Sequence, residues 1–283
     1  MTLAVDAHQH FWSLPRGDYG WLTPQSGSLY RDFGPRDLVP LLREAGIERT
    51  VLVQAAPTEA ETRYLLDIAA ATPYVAAVVG WVDLAAGNAP DRLAALGANG
   101  LLRGVRPMLQ DLPDPRWVLG ESLRPALAAL VELGLRFDAL VKPEHLRPLL
   151  TFLERNPDLA VVIDHGAKPA IRSRSFEAWA RDIREIARET SAYCKLSGLV
   201  TEAQADWRRE DLEYCISHLL DCFGPDRLMW GSDWPVVELA GGYRRWYDAA
   251  QACLASISAA ERERVFGANA ARFYGFDGHE LRT

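Results

Sequence analysis

Two histidines stand two residues apart in Val5-Asp6-Ala7-His8-Gln9-His10-Phe11-Trp12, a spacing found nowhere else in the chain. On a β-strand alternate side chains share a face, so His8 and His10 can converge on one atom while Ala7 and Gln9 face the other way. A divalent ion asks that geometry of a strand; two partly solvated histidines at a strand end are the plainer alternative. A third histidine, His165, closes the apolar run Ala160 to Asp164, and Asp233 closes another, Arg227 to Ser232. Together His8, His10 and His165 could bind one metal through neutral imidazole nitrogens, with Asp233 as a fourth ligand or as the base beside it. A metal held by three protein ligands keeps a place for water and lowers its pKa toward neutrality, and a neighbouring carboxylate can take the water's proton and pass it to a leaving oxygen. Arg106, Lys168 and Lys195 would stabilise developing negative charge or anchor polar groups of a substrate. For Arg106 and Lys195, deep in apolar strands, salt bridges to nearby carboxylates are the alternative, because a buried charge needs a partner.

These residues need elements that bring them together. Strand-like runs begin at Val5, Thr50, Val75, Gly104, Arg136, Ala160, Ala192 and Arg227, and helical patterns separate them. Alternation of this kind implies a parallel sheet with helical crossovers, and near-continuous apolar strands imply that both faces are covered. Eight units in one chain favour a single-domain (β/α)8 TIM barrel over residues 1–283; a doubly wound sheet is the runner-up and lacks a GxGxxG after the first strand. Catalytic groups of such a barrel gather at the C-terminal strand ends. Strand one ends with His8 and His10, strand two with Gln54, strand three with Trp81 and Asp83, strand four with Arg106. Strand five ends with Asp138 and Lys142, six with Asp164, His165 and Lys168, seven with Lys195 and Ser197, eight with Asp233. Asp83, Asp138 and Asp164 could each be no more than an N-cap or loop carboxylate. Trp12, Trp81 and Trp234 would wall the pocket, although core packing is the default for any one of them. Gln54, Lys168 and His145 complete the expected substrate contacts, with His145 also readable as a helix-end residue. His218 reads as a packed mid-helix histidine and His279 as part of a polar tail. The long segment 13–34, rich in Gly, Pro, Ser and aromatics, reads as a functional loop over the active-site face, and 243–275 as C-terminal helices. Thr58 with Glu61 and Ser258 with Glu261 have capping-box spacing.

The chain has 283 residues, 49% of them hydrophobic, and a formal net charge of −7. That length suits one large α/β barrel. The acidic balance and the lack of a basic stripe argue against nucleic acid or an anionic membrane as partner. No apolar run approaches a membrane span and the N-terminus has no signal-peptide pattern, so a soluble cytoplasmic protein is expected. Four cysteines without CxxC spacing read as buried thiols in a reducing compartment.

The stretches DAHQHFW, VQAAPTEAET, VVGWVDL, RGVRPMLQD, DHGAKP, CKLSGLVTEA, GPDRLMWGSDWP and VFGANAARFYGF resemble the amidohydrolase-2 branch of the amidohydrolase superfamily over residues 4 to 276. Within it they look most like the sugar-lactonase group, which holds L-fuconolactonase-like, L-rhamnonolactonase-like and pyrone-dicarboxylate lactonases. The resemblance implies a (β/α)8 barrel, an HxH pair at His8 and His10, a strand-six histidine at His165 and a strand-eight base at Asp233. It departs from the binuclear members at strand four, where Arg106 fills the neighbourhood of their bridging lysine. It therefore implies at most one divalent metal, zinc or manganese, and equally allows none, since some lactonases of the branch use no metal. In that version the histidines and Arg106 polarise the lactone carbonyl while Asp233 activates water. The expected reaction is hydrolysis of a sugar-derived lactone, a small-molecule substrate. The alternatives are a metal-dependent decarboxylase of an unsaturated or aromatic acid, and a non-catalytic barrel that binds a sugar acid or a metal.

Overall fold

The computed structural model describes residues 3–276, so His279 lies outside it. Its elements run β1 (Val5–Gln9), α1 (Pro35–Ala45), β2 (Arg49–Val53), α2 (Glu59–Ala70), β3 (Val75–Gly80), α3 (Ala89–Gly97), β4 (Leu102–Val105) and α4 (Arg124–Glu132). They continue with β5 (Arg136–Ala139), α5 (Leu146–Arg155), β6 (Val161–Ile163), α6 (Glu177–Glu189), β7 (Tyr193–Leu196), α7 (Arg209–Phe223), β8 (Leu228–Trp230), α8 (Tyr243–Cys253), α9 (Ala259–Glu263) and α10 (Asn269–Tyr274). The strands lie in sequence order and every neighbouring pair is parallel. Beyond their ends β8 meets β1 again: His10 N donates to Trp234 O at 2.7 Å and Asp233 N to His8 O at 2.8 Å. The expected (β/α)8 barrel is the fold.

Alternation along the strands sorts the core into two layers. Val51, Val53, Ala77, Val79, Val162 and Met229 fill the interior, while Leu52, Val78, Val161, Ile163, Leu228 and Trp230 meet the surrounding helices. Helix α6 shows the complementary pattern, burying Trp179, Ile183, Ile186 and Ala187 on one face. At the N-terminal end the floor is sealed by Ala270, Phe273, Tyr274 and Phe276. Cys194 and Cys215 are buried free thiols, Cys222 and Cys253 half-buried ones. Among the described residues no helix is long and apolar enough to cross a membrane.

Two local expectations differ. Strand eight stops at Trp230 rather than Asp233, because Asp233 turns its N–H to His8 across the closing seam. Strand four starts at Leu102 and ends at Val105: Arg106 makes one more bond, to Gly80 O at 2.8 Å, and Pro107 has no N–H to continue the ladder.

The seam rests on a carboxylate that sequence reasoning passed over. Asp6, fully buried, accepts from Ser232 N at 2.8 Å, His8 N at 3.2 Å and Tyr243 Oη at 3.1 Å, tying β1 to the β8 exit and to α8. Burial pushes its pKa up to about 6 against those hydrogen bonds. Asp6→Ala strands three donors in a dry site and is expected to cost about 2–4 kcal/mol in urea denaturation. A loss below about 1 kcal/mol would show that the seam closes without it.

Candidate active site

His8 and His10 do converge, but not by simple alternation. The pairing of β1 with β2 slips between Asp6 and Gln9, one residue too many on β1. With that bulge Ala7 joins the barrel interior, His8 also turns inward, and Gln9 turns out to bond Thr50 Oγ1 at 3.1 Å. Gly231 gives His8 its room: a Cβ there would stand 2.7 Å from that of His8.

Around His8 the buried charges form one network. Its Nε2 lies 3.2 Å from His10 Nε2, 3.3 Å from an Arg106 guanidinium nitrogen and 3.8 Å from Asp233 Oδ1. Its Nδ1 lies 3.2 Å from Lys195 Nζ and 3.5 Å from Asp164 Oδ1. Lys195 is paired with Asp138 at 2.6 Å and Asp164 at 3.1 Å, and Arg106 with Asp164 at 3.3 Å. Burial and then the Lys195 charge hold His8 neutral, well below an ordinary imidazole. Burial pushes Asp138 up to about 6 although Lys195 opposes it. For Asp164 burial is outweighed by Lys195, His8 and Arg106, so that carboxylate stays ionised.

His10 Nδ1 donates to Val53 O at 2.8 Å, which orients the ring and sets its Nε2 edge 3.2 Å from Asp233 Oδ1. His165 is held by Ser197 Oγ at 2.9 Å from Nδ1, and burial lowers its pKa to about 4. Gly198 is required beside it, since a Cβ would come within 2.5 Å of His165 Nδ1. Burial would raise the Asp233 pKa, but His165, the His10 hydrogen bond and His8 together hold it far below the carboxylate range. His165, Lys168 and Asp233 all have left-handed φ, 55°, 51° and 57°. Non-glycine residues adopt that conformation at a cost, and such strain collects where side chains must be aimed.

The ligand atoms of His8, His165 and Asp233 lie within 4.8 Å of one another. Two imidazoles and a carboxylate suit zinc, so these residues fit one divalent ion; His10 touches two of the three but falls outside that closest set.

Above this floor opens a cavity of about 340 Å³ lined by His10, Arg106, His165, Lys168 and Asp233 together with Trp21, Ala55, Met108, Gln110, Asp111, Leu140 and Val236. Several expected contacts lie elsewhere. Lys195 has no exposure and touches the network only from beneath. Gln54 is buried behind the wall, its side-chain amide donating to Arg106 O at 2.8 Å and its backbone carbonyl accepting from the Arg106 guanidinium. Trp12 and Trp234 pack into an aromatic cluster, each 5.3 Å from Phe33 between ring centroids. Trp81 is bound through its backbone to Thr62 Oγ1 at 2.8 Å, and His145 Nδ1 accepts from Lys142 N at 3.2 Å at the start of α5; neither lines the cavity. His218 packs as expected, 2.8 Å from Ala180 O.

The tryptophan on the wall is Trp21 of segment 13–34, whose Nε1 donates to Ala55 O at 2.8 Å. Nothing in local spacing separates Trp21 from Trp12, since both are aromatic residues near one loop. Glu61 was also misread. Thr58 Oγ1 does cap Glu61 N at 3.0 Å, but the carboxylate turns away to accept from Ala55 N and Ala56 N, both at 2.9 Å. It thereby holds the segment on which Trp21 is seated.

An Amidohydrolase family model matches residues 5–276. The chain is 48% identical over 281 residues to an L-fucono-1,5-lactonase of Burkholderia ambifaria, covering 98% of this chain and 97% of that protein. It is 37% identical over 293 residues to an L-fucono-1,5-lactonase of Burkholderia multivorans, covering 96% of each. A crystal structure of an amidohydrolase from Burkholderia multivorans with bound zinc superposes with a TM-score of 0.91 at 37% identity, covering 97% of this chain and 100% of that one.

Burial raises the Glu61 pKa to about 7 against the two backbone hydrogen bonds. The unfolded chain ionises this glutamate near pH 4, before the folded chain does, so its contribution is complete below about pH 4 and is lost as pH rises through about 7. Between pH 4 and pH 8 the wild type is expected to lose roughly 3 kcal/mol more stability than Glu61→Gln in denaturant titrations. Equal slopes in the two proteins would show that Glu61 ionises freely in the fold.

Proposed function

The chain belongs to the amidohydrolase family, and on that premise we propose that it hydrolyses a sugar-derived lactone to the open aldonic acid, with an L-fuconolactone as the leading candidate. The observation that carries this reading is Asp233, a carboxylate kept ionised at the floor of a cavity of a size for one sugar ring, which it shares with the Arg106 guanidinium. The two relatives described as L-fucono-1,5-lactonases support it over nearly the whole chain.

Asp233 takes a proton from water as the water oxygen bonds to the lactone carbonyl carbon. Charge then develops on the carbonyl oxygen, where Arg106 and the imidazole edges of His10 and His165 meet it. When the ring C–O bond breaks, Asp233 returns the proton to the leaving oxygen, and the products are a free hydroxyl and a carboxylic acid that gives its proton to solvent and leaves as the carboxylate. Lys168 and Gln110 anchor ring hydroxyls. A divalent ion on His8, His165 and Asp233 would supply Lewis acidity and a more acidic bound water. Neutral His8 and His165 leave nitrogen lone pairs for that role.

Purified protein should release acid from a panel of five- and six-membered sugar lactones, measured with a pH indicator before and after chelation, with bound metal quantified alongside. Carbon dioxide release from unsaturated acids without lactone opening would replace the reading with a decarboxylase, and tight binding of sugar acids without turnover would replace it with a binding barrel. Asp233→Asn should lower kcat by about 10²–10⁴-fold, the usual range for a general base.

The apolar part of the lining, Ala55, Met108, Leu140 and Val236 with Trp21, suits the methyl group that distinguishes a 6-deoxy sugar acid from its 6-hydroxy counterpart. Met108→Gln should therefore reduce the ratio of kcat/KM for L-fucono- over L-galactonolactone by about tenfold, because one methyl in an apolar pocket discriminates on that scale. An unchanged ratio would move the methyl seat elsewhere.

A further inference from the structure

A buried polar column joins the barrel floor to the site. Helix α10 passes Tyr274 up through the N-terminal end of the barrel, and its hydroxyl donates to Asp138 Oδ2 at 2.7 Å. The same oxygen accepts from Lys195 Nζ at 2.6 Å, and Nζ stands 3.2 Å from His8 Nδ1 and 3.1 Å from Asp164 Oδ1. The Tyr274 ring lies below the ammonium, 5.5 Å from centroid to Nζ. Tyr274 is 1% exposed, and Asp138, Asp164, Lys195 and His8 are wholly buried, so these bonds are closed off from bulk solvent. Asp138 Oδ1 has no partner, which leaves Oδ2 to anchor the group.

We propose that Tyr274 is a positioning residue for the reacting centre, acting through Asp138 and Lys195 on the orientation of His8. At Nδ1 His8 meets the Lys195 ammonium at 3.2 Å and the Asp164 carboxylate at 3.5 Å, and that carboxylate oxygen is itself 3.1 Å from Lys195 Nζ. The placement of His8 therefore depends on where Lys195 stands. Lys195 is a flexible chain whose head is set by its partners: Asp164 lies to the side and is shared with Arg106, while Asp138 draws it toward the floor. The Tyr274 hydroxyl fixes the Asp138 oxygen that does this. Without it, Asp138 and Lys195 can rotate together, and His8 loses the register that places its other nitrogen against His10, Asp233 and Arg106.

This inference rests on the reading that His8 belongs to the reacting centre. Tyr274→Phe keeps the ring and removes only the hydroxyl; Phe273→Leu, on the same helix and in the same floor cluster, perturbs packing without touching Asp138. Tyr274→Phe is expected to lower kcat on the lactone about tenfold with KM nearly unchanged, the scale of a small misplacement in a site, while Phe273→Leu keeps wild-type kcat. Wild-type kcat in Tyr274→Phe, or a parallel loss in both variants after matching for thermal stability, overturns the proposal. A second readout needs no turnover. In protein labelled with ¹⁵N-histidine, the His8 ring signals, assigned by their loss in His8→Asn, should move in Tyr274→Phe and stay in place in Phe273→Leu; unmoved signals in Tyr274→Phe overturn it. If the wild type opens no lactone, the proposed function fails, and the histidine spectra still decide this one.

Discussion

An ammonium group on the axis of a closed barrel has to be neutralised where it stands. Lys195 has no exposure, and stripping water from such a charge costs several kcal/mol unless paired and hydrogen-bonded groups replace it. Asp138 and Asp164 do so at 2.6 and 3.1 Å, and most of the site's electrostatics follows from that pairing. Asp164 stays ionised, so Arg106 can lie beside it at 3.3 Å and still reach the cavity. His8, packed against the same ammonium, stays neutral. Strands β4 to β7 each send one side chain, or one from just beyond their ends, into this network, so its geometry and the barrel's register are set together.

The second constraint is the seam where β8 returns to β1. A regular strand would alternate His8 with Ala7; the extra residue in β1 lets both face inward and frees Gln9 to bond outward. The exit of β8 then supplies Asp233, whose N–H bonds His8 O while its carboxylate meets His10. The Asp233 carboxylate and the imidazoles are thus placed by backbone hydrogen bonds within the rigid part of the fold. Loops contribute the walls: the segment after β4 brings Met108, Gln110 and Asp111, and segment 13–34 brings Trp21. Such a division keeps the chemistry on rigid elements and leaves substrate choice to segments that tolerate change.

Much of the site could be read from residue type and position. Polar residues that end apolar strands are expensive unless used, and the C-terminal ends of parallel strands share one rim, which picked out His8, His10, Arg106, His165, Lys195 and Asp233. The same reasoning anticipated salt bridges for Arg106 and Lys195 but could not tell Asp138 and Asp164 from an N-cap or loop carboxylate, because a carboxylate after a strand looks alike whether it faces solvent or a buried lysine. Distance in sequence explains other misses. Tyr274 lies 136 residues from the aspartate it bonds, and Asp6 lies 226 from Ser232.

What the sequence by itself determined is the set of alternating strands and helices, their order, and the inventory of groups at the strand ends, because side-chain periodicity and turn chemistry act over a few residues. Only the tertiary structure decided which of those groups share a proton or a charge and which merely stand near. Lys195 proved to be a buried support beneath the cavity, Trp12 and Trp234 proved to be core while Trp21 is wall, and Gln54 and His145 proved to brace the segments around the site. Hydrogen bonds and ion pairs depend on separations of a few tenths of an ångström, and those arise only when eight strands close on one another and α10 packs against β1 at the floor.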